Sequence, residues 1–513
     1  MRMPILGSII KGAIDLRGRI PVRSNVYKQQ IRQLRKLLAK AEYTEFGKSY
    51  NFSQMLVEED PIRMFQNNVP IHDYQSIFDA WWYRALQGEK DICWPGKTNY
   101  FALSSGTSES SSKHIPVTKD MIKSIQKGTM KQILATRHFN LPKEQFETEI
   151  LFVGGSTNLN YNGTYFSGDL SGITTGTQPR WFQNFTLPGP DIRSLSNWES
   201  KLQEIVDNAK NWNVGFICGV PAWIQILFER IIKHYNATTI HDVWPNLAIY
   251  VHGGVAIHPY KSSIDALCNK QLIYLDTYMA SEGFIAFQER PNDHQAMRLI
   301  TDNKLFYEFV PFNESNFDAE GNILPNAKAL NITEVDTDTE YALLLSNPAG
   351  AWRYLIGDTI KFLNLKRCEI IITGRTKHFL SLCGEHLSVD NMNQAIKLSA
   401  EKLGLHINEY CVVGKPHEGL FAHEWYIGTD KEVDQKVLKE TLDTFLKQLN
   451  DDYATERLHA LKDVLIRVLP NQAFIDFLAS KNKLGGQSKF PRVMKGKHLN
   501  DWQAFLENYQ IKN

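Results

Sequence analysis

Four short stretches, apolar throughout but for the leading Glu149 of the first, constrain what this chain can fold into: Glu149-Ile150-Leu151-Phe152-Val153, Val214-Gly215-Phe216-Ile217-Cys218, Leu247-Ala248-Ile249-Tyr250-Val251 and Leu272-Ile273-Tyr274-Leu275. A strand with one wet face alternates polar and apolar residues, so runs without alternation predict strands covered on both faces, as in a parallel sheet flanked by helices. The chain between them has helical patterning. Ser196-Asn197-Trp198-Glu199 predicts a capping box, and Trp198, Leu202, Ile205, Val206 and Ala209 follow at helical spacing. The fold class is therefore α/β. The last three runs lead into Gly219-Val220-Pro221, Gly253-Gly254 and Ala280-Ser281-Glu282-Gly283. Loops at the carboxyl ends of parallel strands are where such sheets gather ligands.

Beyond about residue 360 the texture changes. Ile370-Ile371-Ile372-Thr373-Gly374-Arg375 ends one strand, residues 409–428 read as a hairpin, 431–449 as a helix and 464–469 as a strand, which predicts a smaller α+β unit. Near the other end, Val26, Ile31, Leu34, Leu37, Leu38 and Ala41 predict an amphipathic helix over 24–42. The apolar stretch 4–10 is interrupted downstream by Lys11, Asp15, Arg17 and Arg19, so a short docking helix is expected there and not a signal peptide. No apolar run approaches the ~20 residues of a membrane-spanning helix.

Composition excludes further classes. With 43% hydrophobic and 22% charged residues, the 513-residue chain can bury cores, as a disordered chain cannot. Lys and Arg number 57 against 56 Asp and Glu, and a net charge of +1 gives no bulk attraction to nucleic acid or to an anionic membrane, so neither partner is expected. The six cysteines form no Cys-x-x-Cys pair. This disfavours a zinc ribbon or a disulfide framework and favours a reducing, cytoplasmic setting. Nothing in the sequence sets an oligomeric state.

Four segments carry chemistry-bearing residues. Leu103-Ser104-Ser105-Gly106-Thr107-Ser108-Glu109-Ser110-Ser111-Ser112-Lys113 offers seven hydroxyls, a glycine and a lysine, the donors a polyphosphate needs; an exposed Ser-rich loop has the same composition. Tyr278-Met279-Ala280-Ser281-Glu282-Gly283 puts a ring, a hydroxyl and a carboxylate in one loop, although Ser281 and Glu282 would also serve as an ordinary helix cap. Trp352-Arg353-Tyr354-Leu355-Ile356-Gly357-Asp358 sets an acid behind a glycine turn, from which it can accept two hydrogen bonds of a ribose diol, or simply face water. Gly485-Gly486-Gln487-Ser488-Lys489-Phe490-Pro491-Arg492 presents a lysine from a Gly-rich loop. Gly96-Lys97-Thr98 imitates the end of a Walker A loop, but Asp91 stands where its first glycine belongs. No His-Glu-x-x-His, Gly-x-Ser-x-Gly or Gly-x-Gly-x-x-Gly pattern occurs.

Taken in order, and with Val251-His252-Gly253-Gly254-Val255, these segments resemble the motif series of the adenylate-forming superfamily. Within it they are most similar to the Gretchen Hagen, or auxin-responsive promoter, family of acyl acid amido synthetases. The resemblance spans roughly residues 100 to 493. It implies a large N-terminal α/β adenylation domain (1–378) with the ATP and acyl-acid sites, and a smaller, mobile α+β lid (379–513). It implies that Ser105, Gly106, Thr107 and Ser108 wrap the ATP phosphates, that Gly254 and Val255 flank the adenine and the acyl pocket, and that Tyr278 stacks on the adenine. Ser281 and Glu282 would face phosphate and Mg²⁺, with Glu282 as metal ligand and catalytic group; Asp358 would hold the ribose, Arg375 would be the hinge-side arginine and Lys489 the mobile catalytic lysine. Glu109 and Ser110 depart from the superfamily's usual loop, which carries a second glycine.

The implied reaction is attack of a carboxylate on the α-phosphate of ATP to give acyl-AMP and pyrophosphate, then transfer of the acyl group to an amine, expected to be that of an amino acid. A CoA or carrier-protein thioester ligase shares the first step, and a nucleotide- or acid-binding protein without catalysis shares the binding residues. Trp181, Trp223, Tyr161 and Phe185 are candidates for an apolar acid pocket, and equally for ordinary packing.

Overall fold

The unbroken apolar runs become neighbouring strands of one large sheet. A computed structural model of the chain describes residue 12 and residues 25–104, 113–481 and 490–512, apart from 179, 293, 319–320, 378, 386, 408 and 430. The described chain forms two compact units that divide after Thr376.

The first unit is built on an 11-stranded sheet. Its strands are β1 (Glu149–Phe152), β2 (Thr186–Leu187), β3 (Val214–Cys218), β4 (Ile249–Gly253), β5 (Ile273–Ala280), β6 (Gly283–Phe287), β7 (Met297–Leu299), β8 (Phe306–Pro311), β9 (Glu340–Ser346), β10 (Tyr354–Asn364) and β11 (Glu369–Arg375), in the order β8-β9-β10-β11-β7-β6-β5-β4-β3-β1-β2. The half from β2 to β5 is parallel, as unbroken apolarity predicts, and the rest is antiparallel. Crossover helices join the parallel strands. One follows β2 at Trp198–Asn208, where Asn197, one residue after the predicted cap Ser196, accepts the Ser200 N–H at 2.8 Å. Two more are Pro221–Tyr235 after β3 and His258–Ala266 after β4.

The predicted N-terminal helix runs Val26–Ala41 and buries Leu34, Leu37, Leu38 and Ala41. Gln30 is buried too, and is satisfied: its amide donates to the Thr301 and Leu305 carbonyls and accepts the Tyr307 N–H. Stretch 4–10 lies outside the described residues. A four-stranded sheet holds Tyr100–Ser104 antiparallel to Lys113–Val117, with Ser104 opposite Lys113.

Arg353, with φ +43°, lies at the centre of a buried polar knot. Its guanidinium meets both Glu308 carboxylate oxygens at 3.1 Å and donates to the Gln66 and Val69 carbonyls. The arginine of the third motif thus holds the fold. Removing one partner strands a buried charge, so Glu308→Ala is expected to cost about 3–5 kcal/mol, read as a lower urea midpoint with an unchanged slope.

The second unit has the predicted hairpin, Tyr410–His417 with Leu420–Gly428, joined by a parallel strand Leu461–Leu469 and covered by helices that include Gln435–Leu449. Trp502, fully buried, meets Phe474, Phe477 and Phe490 with ring centroids 5.0–5.3 Å apart. Among the described residues no helix is long and apolar enough to cross a membrane.

Candidate active site

Three strands of the first unit converge on one carboxylate. Tyr278, near the end of β5, donates its hydroxyl to Asp358 Oδ2 at 2.6 Å, and Arg375, the last residue of β11, sets Nε 3.1 Å from Asp358 Oδ1. Asp358 and Arg375 face each other in the β10–β11 register. Asp358 therefore sits within a long strand and not on the surface turn its glycine suggested. Gly357 kinks that strand with φ +90°, which a side chain would strain, and a Cβ there would lie 3.4 Å from Arg375 Nη2. Each Asp358 oxygen keeps a lone pair, so the carboxylate can accept two further hydrogen bonds. Tyr278 is 5% exposed; burial first, then the Asp358 charge, push its hydroxyl well above its usual range, and it stays a donor.

Ser281 and Glu282 form the tight turn between β5 and β6, so they cap no helix. The Glu282 backbone is pinned by Asn347 Nδ2 on its carbonyl at 2.8 Å. Its carboxyl is buried, and burial, aided by the Asp358 charge, pushes it up to about 7 against its own backbone N–H bond and the fields of Lys113 and Arg375. Such a carboxylate is short of positive charge. Lys113 is placed by its register with Ser104, and its ammonium lies 5.1 Å from the Tyr74 ring centroid.

Gly254 is exposed after β4 and Val255 is half-buried. The preceding Gly253 is there because β4 and β5 run close: a Cβ on it would come 2.4 Å from the Thr277 carbonyl oxygen. Ser105, Gly106, Thr107, Ser108 and Lys489 lie outside the described residues. Phe490, beside Lys489, is buried against Phe474 at 4.9 Å. Of the candidate pocket aromatics, Trp223 packs edge-on against Trp198 at 4.7 Å, Phe185 is half-buried, and Tyr161 is 55% exposed beside Phe166. The Trp181 side chain is outside the described set.

Sequence reasoning gave no role to a second pair on the same sheet. His252 on β4 stands opposite Asp276 on β5, with Nδ1 3.5 Å from Oδ1. Neither His252 ring nitrogen has a hydrogen-bond partner among the described residues, and burial pushes the ring down to about 3, so it is neutral. Burial likewise pushes the Asp276 carboxyl up to about 7, against the Thr277 N–H it accepts. Asp276 precedes Tyr278 by two residues, so the period of a strand puts both on one face; that spacing was the available signal.

Comparison with known proteins gives one direction. Residues 21–158 match the GH3 family N-terminal domain, 298–373 the GH3 family central domain and 390–498 the GH3 family C-terminal domain. Jasmonoyl--L-amino acid synthetase JAR4 of Nicotiana attenuata is 20% identical over 86% of this chain and 88% of its own. Indole-3-acetic acid-amido synthetase GH3.2 of Arabidopsis thaliana is 24% identical over 24% of this chain and 23% of its own. Among solved structures, AtGH3.15 acyl acid amido synthetase in complex with 2,4-DB superposes with a TM-score of 0.59 at 16% identity, over 98% of this chain and 96% of that one. A 2-hydroxyisobutyryl-CoA ligase shares the fold with a TM-score of 0.57 at 12% identity, over 94% and 92% of the two chains. With its three domain matches in family order along most of its length, the chain belongs to the GH3 family of acyl acid amido synthetases.

Proposed function

We propose that this chain adenylates the carboxylate of a small organic acid with ATP and passes the acyl group to the amine of an amino acid, forming an amide and AMP. The observation that carries this reading is the Tyr278–Asp358–Arg375 cluster with the charge-poor carboxyl of Glu282 beside it, in a chain of this family. ATP fits: the free lone pairs of Asp358 suit a ribose diol. Mg²⁺ fits a buried carboxylate whose charge Lys113 and Arg375 compensate only in part, and when bound it would supply charge neutralisation to the phosphates. Tyr278 positions Asp358, and Arg375 compensates its charge. The segment 105–112, through Ser105, Gly106, Thr107 and Ser108, would cradle phosphate oxygens, with Ser281 facing them, and Gly254 and Val255 would flank adenine and acid. Lys489, carried by the smaller unit (379–513) acting as a lid, would stabilise the charge that grows on carboxylate and phosphate oxygens during adenylation. The six cysteines are free, four of them buried, which suits a cytoplasmic setting.

Lys489→Ala is expected to slow acyl-AMP formation by about 100-fold while leaving the ATP dissociation constant within twofold; a stopped-flow single-turnover assay beside calorimetric ATP titration checks both. The choice of acceptor is tested by incubating protein, ATP and Mg²⁺ with a carboxylic-acid panel and either amino acids or CoA, with products read by mass. Amide with the amino acids is the expected product. Thioester with CoA, and no amide, would overturn the reading in favour of the CoA ligase chemistry named for a structural neighbour.

A further inference from the structure

Lys201 sits in the first turn of the helix Trp198–Asn208, yet it is only 3% exposed. Its ammonium carries three N–H donors. Among the described residues its one hydrogen bond runs to the Gly154 carbonyl at 3.2 Å. The Trp198 ring lies 5.7 Å away, and the indole N–H of Trp198 is itself buried with no acceptor among the described residues. Burial pushes the ammonium down to about 8, and the field of Asp169 only partly opposes this. Among the described residues the corner thus holds more buried N–H donors than it satisfies, with the Asp169 carboxylate as the nearby negative charge. Buried donors left this way cost free energy, which a ligand bringing acceptor atoms and negative charge recovers.

Location says which ligand. Gly154 follows β1, at the sheet edge where Gly219 follows β3 and Gly254 follows β4, and β1, β3 and β4 are adjacent. This is the carboxyl edge of the parallel strands, the ligand-gathering side of such a sheet. Trp223, in the helix after β3, meets Trp198 edge-on, so an apolar wall stands beside the donors.

We propose that Lys201 and the Trp198 indole N–H together receive a substrate carboxylate, that of the acid or that of the amino acid acceptor. The identity of those two substrates rests on the amido synthetase reading; the presence of a carboxylate site does not. An ammonium and an indole N–H can bind the two oxygens of one carboxylate, the charge-assisted arrangement that best satisfies both groups.

The test begins with binding, which needs no turnover. Thermal midpoints of the full-length protein are measured with benzoate, phenylacetate, hexanoate and each proteinogenic amino acid, for wild type, Lys201→Gln, Lys201→Arg and Trp198→Phe. At least one carboxylate is expected to raise the wild-type midpoint. Lys201→Gln should raise the half-saturating concentration at least tenfold, Trp198→Phe severalfold, and Lys201→Arg should restore much of the loss. The ATP half-saturation should stay within twofold throughout, and the unliganded midpoints separate lost binding from lost folding. The compound that responds names the source, acid or amino acid. Equal carboxylate binding by wild type, Lys201→Gln and Trp198→Phe would overturn the proposal, as would a wild type that no carboxylate stabilises. Carboxylate binding through Lys201 without acid-dependent pyrophosphate exchange would leave this site standing and count against the amido synthetase reading instead.

Discussion

Asp358→Ala is expected to weaken ATP binding by about 100-fold. The wild-type carboxylate is held by Tyr278 at 2.6 Å and Arg375 at 3.1 Å, so its remaining lone pairs are already aimed when the ribose arrives. Two hydrogen bonds to a charged acceptor are worth about 3 kcal/mol together, and alanine removes both along with the contact between Asp358 and Arg375. Tyr278→Phe deletes only the hydroxyl that orients Asp358 and should cost about tenfold or less. Calorimetric titration with ATP measures both variants, and equal affinity in wild type and Asp358→Ala would remove Asp358 from the ribose site.

Glu282→Gln should separate activity from stability. In the unfolded chain this carboxyl titrates near its ordinary value of 4.5, and burial pushes it up to about 7 in the folded chain, so between those values the native state binds the extra proton. The group therefore favours the fold fully below about pH 4.5, and that contribution is lost as pH rises through 7. At pH 8, without metal, the buried charge costs about 3 kcal/mol. Glutamine removes the charge, so Glu282→Gln is expected to raise the urea midpoint at pH 8, to leave it unchanged near pH 4.5, and to abolish most Mg²⁺-dependent adenylation. A variant no more stable than wild type at pH 8 would show that Glu282 is not strained by burial.

The parallel half of the fold was legible because unbroken apolarity has one common cause, burial on both faces. The antiparallel half, β6 to β11, was less so, since Glu308 on β8 pairs with Arg353 just before β10, a buried ion pair that no apolar run announces. The site divides the same way. Tyr278, Glu282 and Asp358 were marked by motif, but their roles in the fold were not. The pattern at Gly357 suggests a glycine turn ahead of Asp358, whereas its positive φ is a kink within a strand. His252 lies inside a motif segment that gives it no role of its own, and Asp276 and Lys201 carry no motif. What distinguishes them is burial of a polar group without enough partners, a property of three-dimensional packing that no local pattern encodes. Asn197 in place of Ser196 as helix cap is a smaller instance: both residues can cap, and backbone geometry chose.

The most direct measurement is ATP–pyrophosphate exchange on purified full-length protein across aromatic and aliphatic carboxylic acids. Exchange that depends on the acid, is lost in Asp358→Ala and is strongly reduced in Lys489→Ala is the expected result. No exchange with any acid, in protein shown by titration to bind ATP, would contradict adenylation and leave a nucleotide-binding protein in its place.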